Sequence, residues 1–275
     1  MSRSALLGAT AAYLGLTAFG ALAVFPMIWI ITVSLQEAGG ATLGIQIPIP
    51  PSLDSYVEAL TRLPLMSFFR NSAIITLTAT IGTVLSSSLV GFSLARLRWP
   101  GRDAMFGLVI ATTLMPYVVT LVPSFVMFKW LGWLNTYLPL IVPAWTGTAF
   151  YVFLLRQFMR SLPVEMDEAA RVDGASNFTI YWRIVMPLSG PVLAAVAIFA
   201  FLHHWTDFLA PSIYLNSVEN YTLPLGIFMY QGRYGNQWNL VMAASMFVVV
   251  PVLLLFLFAQ RYFIRGVQLT GLAGR

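Results

Sequence analysis

Six long stretches of this chain are almost free of charge, and this feature limits the possible fold more than any other. A helix needs about 20 consecutive apolar residues to cross the hydrocarbon core of a bilayer. Only the fifth stretch contains a formally charged side chain, Asp207. The stretches cover residues 6–35, 72–95, 104–128, 137–155, 188–215 and 240–260. The sequence therefore predicts an all-α membrane protein with six transmembrane helices.

Composition agrees with a membrane protein. Charged residues make up 9% of the chain, against about 25% in an ordinary soluble domain. No internal repeat is visible, so we predict a single transmembrane domain over residues 1–275, with outer connections at 36–71 and 216–239. The first connection contains Leu53, Tyr56, Val57 and Leu60 at helical spacing, which predicts a short amphipathic helix on the outer membrane face.

The first apolar stretch has two interpretations. Arg3 followed by an apolar run and "ALA" at 21–23 fits a secretory signal peptide. The apolar run continues to Leu35, however, and a signal core has only about 7–15 residues. We therefore expect an uncleaved first span.

The basic residues predict the orientation, because cytoplasmic loops of membrane proteins are enriched in Lys and Arg. An amino terminus in the cytoplasm places eleven basic residues on that side and four outside. The eleven are Arg3, Arg96, Arg98, Arg102, Arg156, Arg160, Arg171, Arg183, Arg261, Arg265 and Arg275, and the four are Arg62, Arg70, Lys129 and Arg233. Both termini and the connection between spans 4 and 5 are then cytoplasmic. The net charge of +5 reflects this asymmetry and contact with anionic lipid, and we expect no nucleic-acid partner.

The connection at 161–187 is the most charged part of the chain's second half. Pro163 fits the first turn of a helix, so residues 163–172 are predicted to be a short helix. Asp173-Gly174 is typical of a turn, and Ser176 is predicted to cap a second helix that runs to about Met186. Pro187 is expected to end it.

Within that second helix, four large residues share one predicted face: Phe178, Tyr181, Trp182 and Val185. This face has two interpretations. It packs against the cytoplasmic ends of the spans or lies in the membrane interface, or it contacts another protein, with Glu168, Arg171 and Asp173 as a polar rim.

The same connection carries a recognisable pattern. Glu168-Ala169-Ala170, then Gly174, then Ile184 and Pro187, resemble the EAA signature of bacterial ABC-importer permeases. The resemblance implies that this segment is a coupling helix that docks into a separate ATPase subunit. Glu168, Ala169, Ala170, Arg171, Asp173, Gly174, Phe178, Ile184 and Pro187 are the residues for which it implies ATPase coupling.

Further stretches widen the resemblance. "ARLRWPGRD" (95–103), "HWTDFLAP" (204–211) and "QRYFIRGVQLTGL" (260–272) are similar to carbohydrate-type permeases of the MalG kind, and the likeness runs from about Tyr56 to the carboxyl end. It implies a multi-pass subunit of the bacterial cytoplasmic (inner) membrane. The implied partners are a second, MalF-like permease, an ATPase homodimer, an extracytoplasmic solute-binding protein and membrane lipid. Thr206 and the tail "GLAGR" depart from the family pattern.

The chain contains no phosphate-binding loop of the form G-x-x-x-x-G-K-[ST]. We therefore expect no enzymatic activity in this subunit, with ATP and magnesium bound by the partner ATPase and no cofactor in this chain. The absence of cysteine excludes disulfides and Cys-ligated metals. The sequence alone leaves two other functions open, an ion-coupled secondary transporter and an intramembrane enzyme that uses His203, His204 and Asp207.

Polar residues in the fifth apolar stretch are candidates for the translocation path, because ionisable groups inside a membrane are often functional. They are His203, His204, Trp205 and Asp207. His203 and Asp207 are four residues apart and are predicted to share a helix face. Three interpretations stay open: a hydrated sugar path in which Trp205 stacks on the substrate, a metal or proton-relay site, and a structural pair near the outer interface.

The second stretch carries many hydroxyl groups: Asn71, Thr76, Thr78, Thr80, Thr83 and Ser86–Ser88. Small hydroxyl residues allow close packing between membrane helices, and they also line pores. We expect the packing role to dominate.

Overall fold

Every regular element in the described part of the chain is a helix. The computed structural model describes residues 3–37, 48–233 and 237–272. The α-helices are α1 Arg3–Ser34, α2 Asp54–Arg62, α3 Leu65–Arg96, α4 Arg102–Thr112, α5 Tyr117–Trp130, α6 Leu138–Ile141, α7 Ala149–Ser161, α8 Glu165–Val172, α9 Asn177–Ile180, α10 Met186–Leu188, α11 Gly190–Thr206, α12 Leu209–Tyr214, α13 Leu223–Arg233 and α14 Trp238–Leu272. Val142–Thr146 and Val218–Asn220 form 3₁₀ turns, and Tyr181–Val185 forms a π turn. The predicted all-α class is confirmed.

Between four and six of these segments have the length and composition of membrane spans. Ala12–Ser34, Leu65–Arg96, Leu138–Ser161 and Trp238–Gln260 qualify individually. Two further pairs qualify only if a bent pair counts as one span: α4 with α5, bent by 96°, and the segment Asn177–Leu188 with α11, bent by 81°. The six predicted apolar stretches therefore correspond to four candidate spans and two bent helix pairs.

The break between α4 and α5 follows from Pro116. A residue that precedes proline avoids the α conformation, and proline has no N–H for the helix ladder. α4 accordingly ends at Thr112, and α5 begins directly after Pro116, whose backbone is extended. Pro26, Pro123 and Pro251, in contrast, lie inside continuous helices.

The fifth predicted stretch, 188–215, is not one helix. α11 ends at Thr206, Asp207 is extended, and α12 begins at Leu209. The Asp207 carboxylate accepts hydrogen bonds from the backbone N–H groups of Leu209 and Ala210, at 3.0 and 3.3 Å. Because these N–H groups open α12, the carboxylate acts as a helix cap, and the apolar content of the stretch does not reveal this interruption.

The chain forms two compact units, of which the first comprises Met1–Met66 and Gly226–Val250. Its polar contacts centre on α2, where Ser55 donates to the Gln36 carbonyl at 2.6 Å and accepts from the Asn239 amide at 3.0 Å. The apolar side chains Val57 and Leu60 are exposed instead. This helix therefore packs through its small residues Ser55 and Ala59, and its exposed apolar side chains lie on the face predicted to contact the membrane surface.

The second unit comprises Ser67–Leu225 and Pro251–Arg275. A core of this unit lies where α3, α7, the π turn and α11 meet. The buried members are Phe92, Tyr151, Leu155, Met159, Ile180, Tyr181, Val185, Val192, Val196 and Ala200. Since three of these residues come from 180–185, the segment predicted for ATPase coupling is part of the core of this unit.

The hydroxyl-rich face of α3 serves helix packing, as predicted. Asn71, Thr76, Thr83, Ser87 and Ser88 are all buried. The Ser87 hydroxyl accepts a hydrogen bond from the backbone N–H of Thr148, at 3.2 Å, at the point where the span over Leu138–Ser161 is interrupted. A hydroxyl of α3 thus satisfies a backbone group that the interruption leaves without a helical partner.

Close packing of α3 on α7 predicts a large effect of substitution at Gly91. A Cβ atom at this position would lie 3.1 Å from Leu155 Cβ and 3.3 Å from the Arg156 backbone nitrogen. We expect Gly91→Val to lower the free energy of unfolding by about 1–3 kcal/mol through overpacking, measured by thermal unfolding in detergent.

The matched control is Gly107→Val. Gly107 is also helical, but a Cβ atom added there would meet no neighbouring atom within 4 Å. Both substitutions change helix propensity in the same way. Equal stability losses in the two variants would contradict close packing at Gly91.

Candidate functional site

The predicted coupling segment begins with α8. The helix starts at Glu165, two residues after the predicted start at Pro163, and its first turn contains Glu165, Asp167 and Glu168. Acidic side chains near a helix amino terminus interact favourably with the helix dipole. The sequence thus stabilises a helix of only two turns at this position.

Gly174 ends α8, as the sequence predicts. Its φ angle is +82°, in the left-handed region that glycine adopts without strain. The reversal lets the N–H of Ala175 donate to the Ala170 carbonyl at 2.9 Å, while the N–H of Gly174 donates to the Arg171 carbonyl at 3.0 Å. The chain then turns directly into α9.

Ser176 caps the second helix, which confirms that prediction. Its hydroxyl accepts a hydrogen bond from the Thr179 N–H at 3.2 Å. The helix continues as the π turn and α10, and ends at Leu188. The expectation that Pro187 ends it is wrong, because Pro187 lies in the first turn of α10, where its missing N–H needs no helical partner.

The four large residues of the second helix do not share one face. Tyr181 and Val185 are buried in the core of the second unit, whereas Phe178 and Trp182 are 69% and 53% exposed. The Tyr181 hydroxyl lies 2.8 Å from the Ser88 hydroxyl of α3 and forms a buried hydrogen bond with it. The packing interpretation therefore holds for Tyr181 and Val185, and contact with another protein stays a prediction for Phe178 and Trp182.

The residues of the EAA pattern also divide by exposure. Glu168, Ala169, Arg171 and Asp173 are exposed, whereas Ala170 packs against the core of the second unit. Ile184 is half-buried and Pro187 is exposed. This side of the loop therefore presents an exposed surface. It contains carboxylates, an arginine, a small alanine and the rings of Phe178 and Trp182.

A charged cavity of about 480 Å³ lies beside this surface. Its lining residues are Arg96, Leu97, Arg98, Trp99, Val164, Asp167, Glu168, Arg171 and Asn177. At its inner wall the Arg96 Nε atom lies 3.6 Å from an Asp167 carboxylate oxygen, and both side chains are almost completely buried. The cavity thus places the exposed Glu168 next to a buried ion pair.

The sequence reasoning did not identify Arg96, Asp167 or Ser88 as parts of this site. Asp167 directly precedes the EAA pattern, but an acidic residue is expected on the solvent face of a short helix. Arg96 and Ser88 are 71 and 93 positions from their partners, Asp167 and Tyr181. A local pattern carries no information about such pairs.

The second predicted set, His203, His204, Trp205 and Asp207, is not arranged as expected. α11 ends at Thr206, and Asp207 follows as its C-cap residue with φ −66° and ψ 125°, so a shared helix face for His203 and Asp207 stays a prediction. The Trp205 ring is buried and stacks on Phe201 at a centroid distance of 5.6 Å. This packing leaves no free indole face for a sugar.

The two histidines of this set are the parts that remain accessible. His203 is exposed, His204 is half-buried, and their rings lie edge to face, 5.1 Å apart. Within the described residues, no group of three or more His, Cys, Asp or Glu side chains could hold a metal ion. The geometry therefore offers two imidazoles and a helix-capping carboxylate rather than a ligand cluster.

Comparisons with known proteins point to one class. Residues 87–269 match the family described as binding-protein-dependent transport system inner membrane component. The chain is 36% identical to the arabinooligosaccharides transport system permease protein AraQ of Halalkalibacterium halodurans, over 92% of each chain. It is 33% identical to the sulfoquinovosyl glycerol transport system permease protein SmoH of Agrobacterium fabrum, over 91% of this chain and 89% of that protein.

Other similarities agree. The chain is 31% identical to the trehalose/maltose transport system permease protein MalG of Thermococcus litoralis, over 92% of each chain. Its fold matches a chain in the crystal structure of a bacterial ABC transporter that imports the acidic polysaccharide alginate, with a TM-score of 0.84 and 21% identity over 96% of this chain and 99% of that one.

The buried contact between Tyr181 and Ser88 predicts a measurable stability effect. We expect Tyr181→Phe to lower the free energy of unfolding by about 1–3 kcal/mol, because the Ser88 hydroxyl would lose a buried partner. Ser88→Ala should act similarly, and the double variant should cost less than the sum of the two. Thermal unfolding of the four proteins in detergent measures this coupling.

The control is Tyr137→Phe in the same unit, since the Tyr137 hydroxyl has no part in this contact. Strictly additive losses for the two single variants would show that the Tyr181 and Ser88 hydroxyls do not depend on each other.

Proposed function

This chain belongs to the family of binding-protein-dependent transport system inner membrane components, and from this we propose that residues 161–187 couple it to a separate ATPase. It is a permease subunit of an importer and not an enzyme. The subunit shapes half of a translocation path, and the chemistry of ATP hydrolysis occurs in the partner. The absence of a phosphate-binding loop from the sequence agrees with this division.

The observation that supports the coupling role is the division of the loop into an anchored and a free side. Ile180, Tyr181 and Val185 fix the segment to the core of the second unit. Phe178 and Trp182 point away from that core and are exposed. Large aromatic residues surrounded by charged side chains are typical of protein interfaces, and a membrane subunit that needs an external ATPase requires such a surface.

The docking surface in this proposal consists of the residues that the EAA resemblance implies: Glu168, Ala169, Ala170, Arg171, Asp173, Gly174, Phe178, Ile184 and Pro187. Ala169 allows close approach of the partner backbone. The exposed Glu168 carboxylate suits a basic group of the ATPase and would fix the docking register. Ala170 supports this surface by packing against the core of the second unit, and Ile184 is half-buried.

The proposed orientation places both termini and the loop between spans 4 and 5 in the cytoplasm. It rests on the asymmetry of eleven basic residues against four. Residues 1–275 then form a single transmembrane permease domain with six spans, two of them bent. Exposed apolar side chains on α1, such as Leu14 and Phe19, suit contact with membrane lipid.

The proposed substrate is a carbohydrate or a related polyol. Relatives named for arabinooligosaccharides, sulfoquinovosyl glycerol and trehalose or maltose support this class. A hydroxyl-rich solute is recognised through hydrogen-bonding groups, and the spans of this chain are rich in such groups but nearly free of charge. Within the predicted path, His203 and His204 are the proposed contacts, because Trp205 and Asp207 already have partners inside the protein.

The proposed complex contains a second, MalF-like permease, an ATPase homodimer and an extracytoplasmic solute-binding protein. ATP would close the ATPase dimer and draw the coupling segments of the two permeases together. The path would then change from inward-facing to outward-facing and accept substrate from the binding protein. This chain transmits that movement.

The first experiment is affinity purification of the chain from its native membrane in mild detergent, with stoichiometric partners identified by mass. Recovery of an ATPase, a second permease and a binding protein is the expected result. Thermal shift of the recovered binding protein against a carbohydrate panel then identifies the substrate. Recovery of the chain alone, under conditions in which related complexes stay intact, would contradict the proposal.

The loop predicts uncoupling by substitution at Glu168 or Gly174. We expect Glu168→Gln to lower uptake per ATP hydrolysed by about tenfold, which is within the usual range for coupling between sites. Gly174→Ala should act in the same direction, because alanine at φ +82° is strained by roughly 1–2 kcal/mol. Uptake and hydrolysis are measured together in vesicles that contain the reconstituted complex.

Glu37→Gln is the matched control, since it removes an exposed carboxylate outside residues 161–187. All three variants should reach the membrane in normal amounts. Normal coupling in both Glu168→Gln and Gly174→Ala would show that the loop does not have this role.

A further inference from the structure

The coupling segment is attached to α3 by a buried ion pair. Arg96, the last residue of α3, places its Nε atom 3.6 Å from the Oδ2 atom of Asp167 in α8. The exposed fractions of the two side chains are 6% and 3%. An Arg96 Nη2 atom also donates to the Pro163 carbonyl at 3.5 Å, just before α8. Arg96 Nε and Asp167 Oδ1 have no hydrogen-bond partner among the described residues, so the attachment is electrostatic. Removal of either partner would leave the other charge buried without a counter-ion.

A second buried contact attaches the other half of the segment to the same helix. The Tyr181 hydroxyl in the π turn bonds the Ser88 hydroxyl at 2.8 Å. Ser88 and Arg96 are eight positions apart, or about 12 Å along the helix axis. α8 and the π turn are thus fastened at two separate points of α3.

α3 is suited to transmit displacement across the membrane because it is continuous. It runs from Leu65 to Arg96, 32 residues without proline, which corresponds to about 48 Å. The neighbouring spans in the described part of the second unit are interrupted: α4 and α5 meet at 96°, and the segment before α11 meets it at 81°. A bent span can absorb a displacement of one end by a change in its bend angle, whereas a continuous helix transmits the displacement along its axis.

The opposite end of α3 holds the segment 219–223. The Asn71 side-chain amide donates to the carbonyls of Glu219 and Tyr221, at 2.7 and 3.0 Å. The Ser72 hydroxyl accepts from the Leu223 N–H at 2.7 Å. Since these contacts involve the backbone of the segment, movement of α3 along its axis would move the segment with it.

We propose that α3 transmits the state of the ATPase to the opposite face of the subunit, and that Arg96 and Asp167 are the positioning residues that fasten the coupling helix α8 to it. This inference rests on the proposed coupling function of residues 161–187. It adds a specific route, from α8 through the ion pair and α3 to the segment 219–223. Without the pair, α8 keeps the packing of Ala170 but loses its polar attachment to α3.

The test uses a cysteine as a reporter at the far end of the route. The chain contains no cysteine, so Asn216→Cys provides a single thiol at an exposed position of the loop that leads to the segment 219–223. The complete complex, with its second permease, ATPase and binding protein, is purified in mild detergent, so that Mg-ATP and the labelling reagent reach both faces. The labelling rate of the thiol by a membrane-impermeant maleimide is measured with and without saturating Mg-ATP.

We expect Mg-ATP to change the labelling rate in the parent protein. Asp167→Asn and Arg96→Met should each abolish that change while the ATPase still purifies with the complex. Asp167→Glu keeps the charge and should retain the change. Arg160→Met is the matched control, because it removes an exposed arginine of α7 that has no part in the pair, and it should also retain the change.

Several results would overturn the inference. An ATP-dependent change that persists in both Asp167→Asn and Arg96→Met would show that the pair is not needed for transmission. An equal loss of the ATP-dependent change in Arg160→Met would show that the effect comes from removing any positive charge and not from breaking this ion pair. Loss of the ATPase from the neutral variants would assign the pair to docking, and failure of both neutral variants to accumulate in the membrane would assign it to folding.

Failure of this inference can be distinguished from failure of the coupling function. If the loop does not couple at all, the parent protein recovers no ATPase and Glu168→Gln behaves as the parent. If only the route through α3 is wrong, the ATPase is recovered and Glu168→Gln uncouples, while Asp167→Asn and Arg96→Met respond to Mg-ATP as the parent does.

Discussion

Close packing along α3 is the constraint on which the second unit depends. A Cβ atom at Gly91 would lie only 3.1 Å from Leu155 Cβ of α7, and Ser87 and Ser88 form hydrogen bonds with backbone and tyrosine groups of other segments. In a membrane these contacts replace the hydrophobic effect as the source of specificity, because lipid is as apolar as the helix surfaces. The interrupted spans depend on them, since a freed backbone N–H in the hydrocarbon region needs a partner within the protein.

The same packing separates the two sides of the coupling segment. Tyr181 and Val185 are buried in the core of the second unit, so α9 and the π turn have a fixed orientation. That orientation leaves Phe178 and Trp182 in contact with solvent. The proposed docking surface is therefore held by a packed support, and in the proposed complex a movement of the partner would reach the spans rather than be lost within the loop.

Continuous and bent helices have different mechanical consequences in this unit. The bend at Pro116 and the bend at Ser189 provide places where the backbone can change direction. α3 has no such place. The buried side chain of Arg156 adds polar contacts near the end of α3. Its Nε atom donates to the Leu94 carbonyl at 3.2 Å, and its Nη2 atom donates to Asp103 Oδ1 at 3.4 Å. The ends of α3, α4 and α7 are thereby held together around one guanidinium group.

Local rules allowed the sequence to determine the helical class, the apolar stretches, the turn at Gly174 and the cap at Ser176, because each depends on neighbouring residues only. The family resemblance likewise follows from spacing within the loop. Tertiary structure alone decided that Asp167 is buried against Arg96, that Tyr181 and Trp182 face opposite sides, and that Asp207 caps α12. The physical reason is that a partner distant in the sequence, or a break in the helix, sets the burial of these side chains, and neither is encoded in a local periodicity.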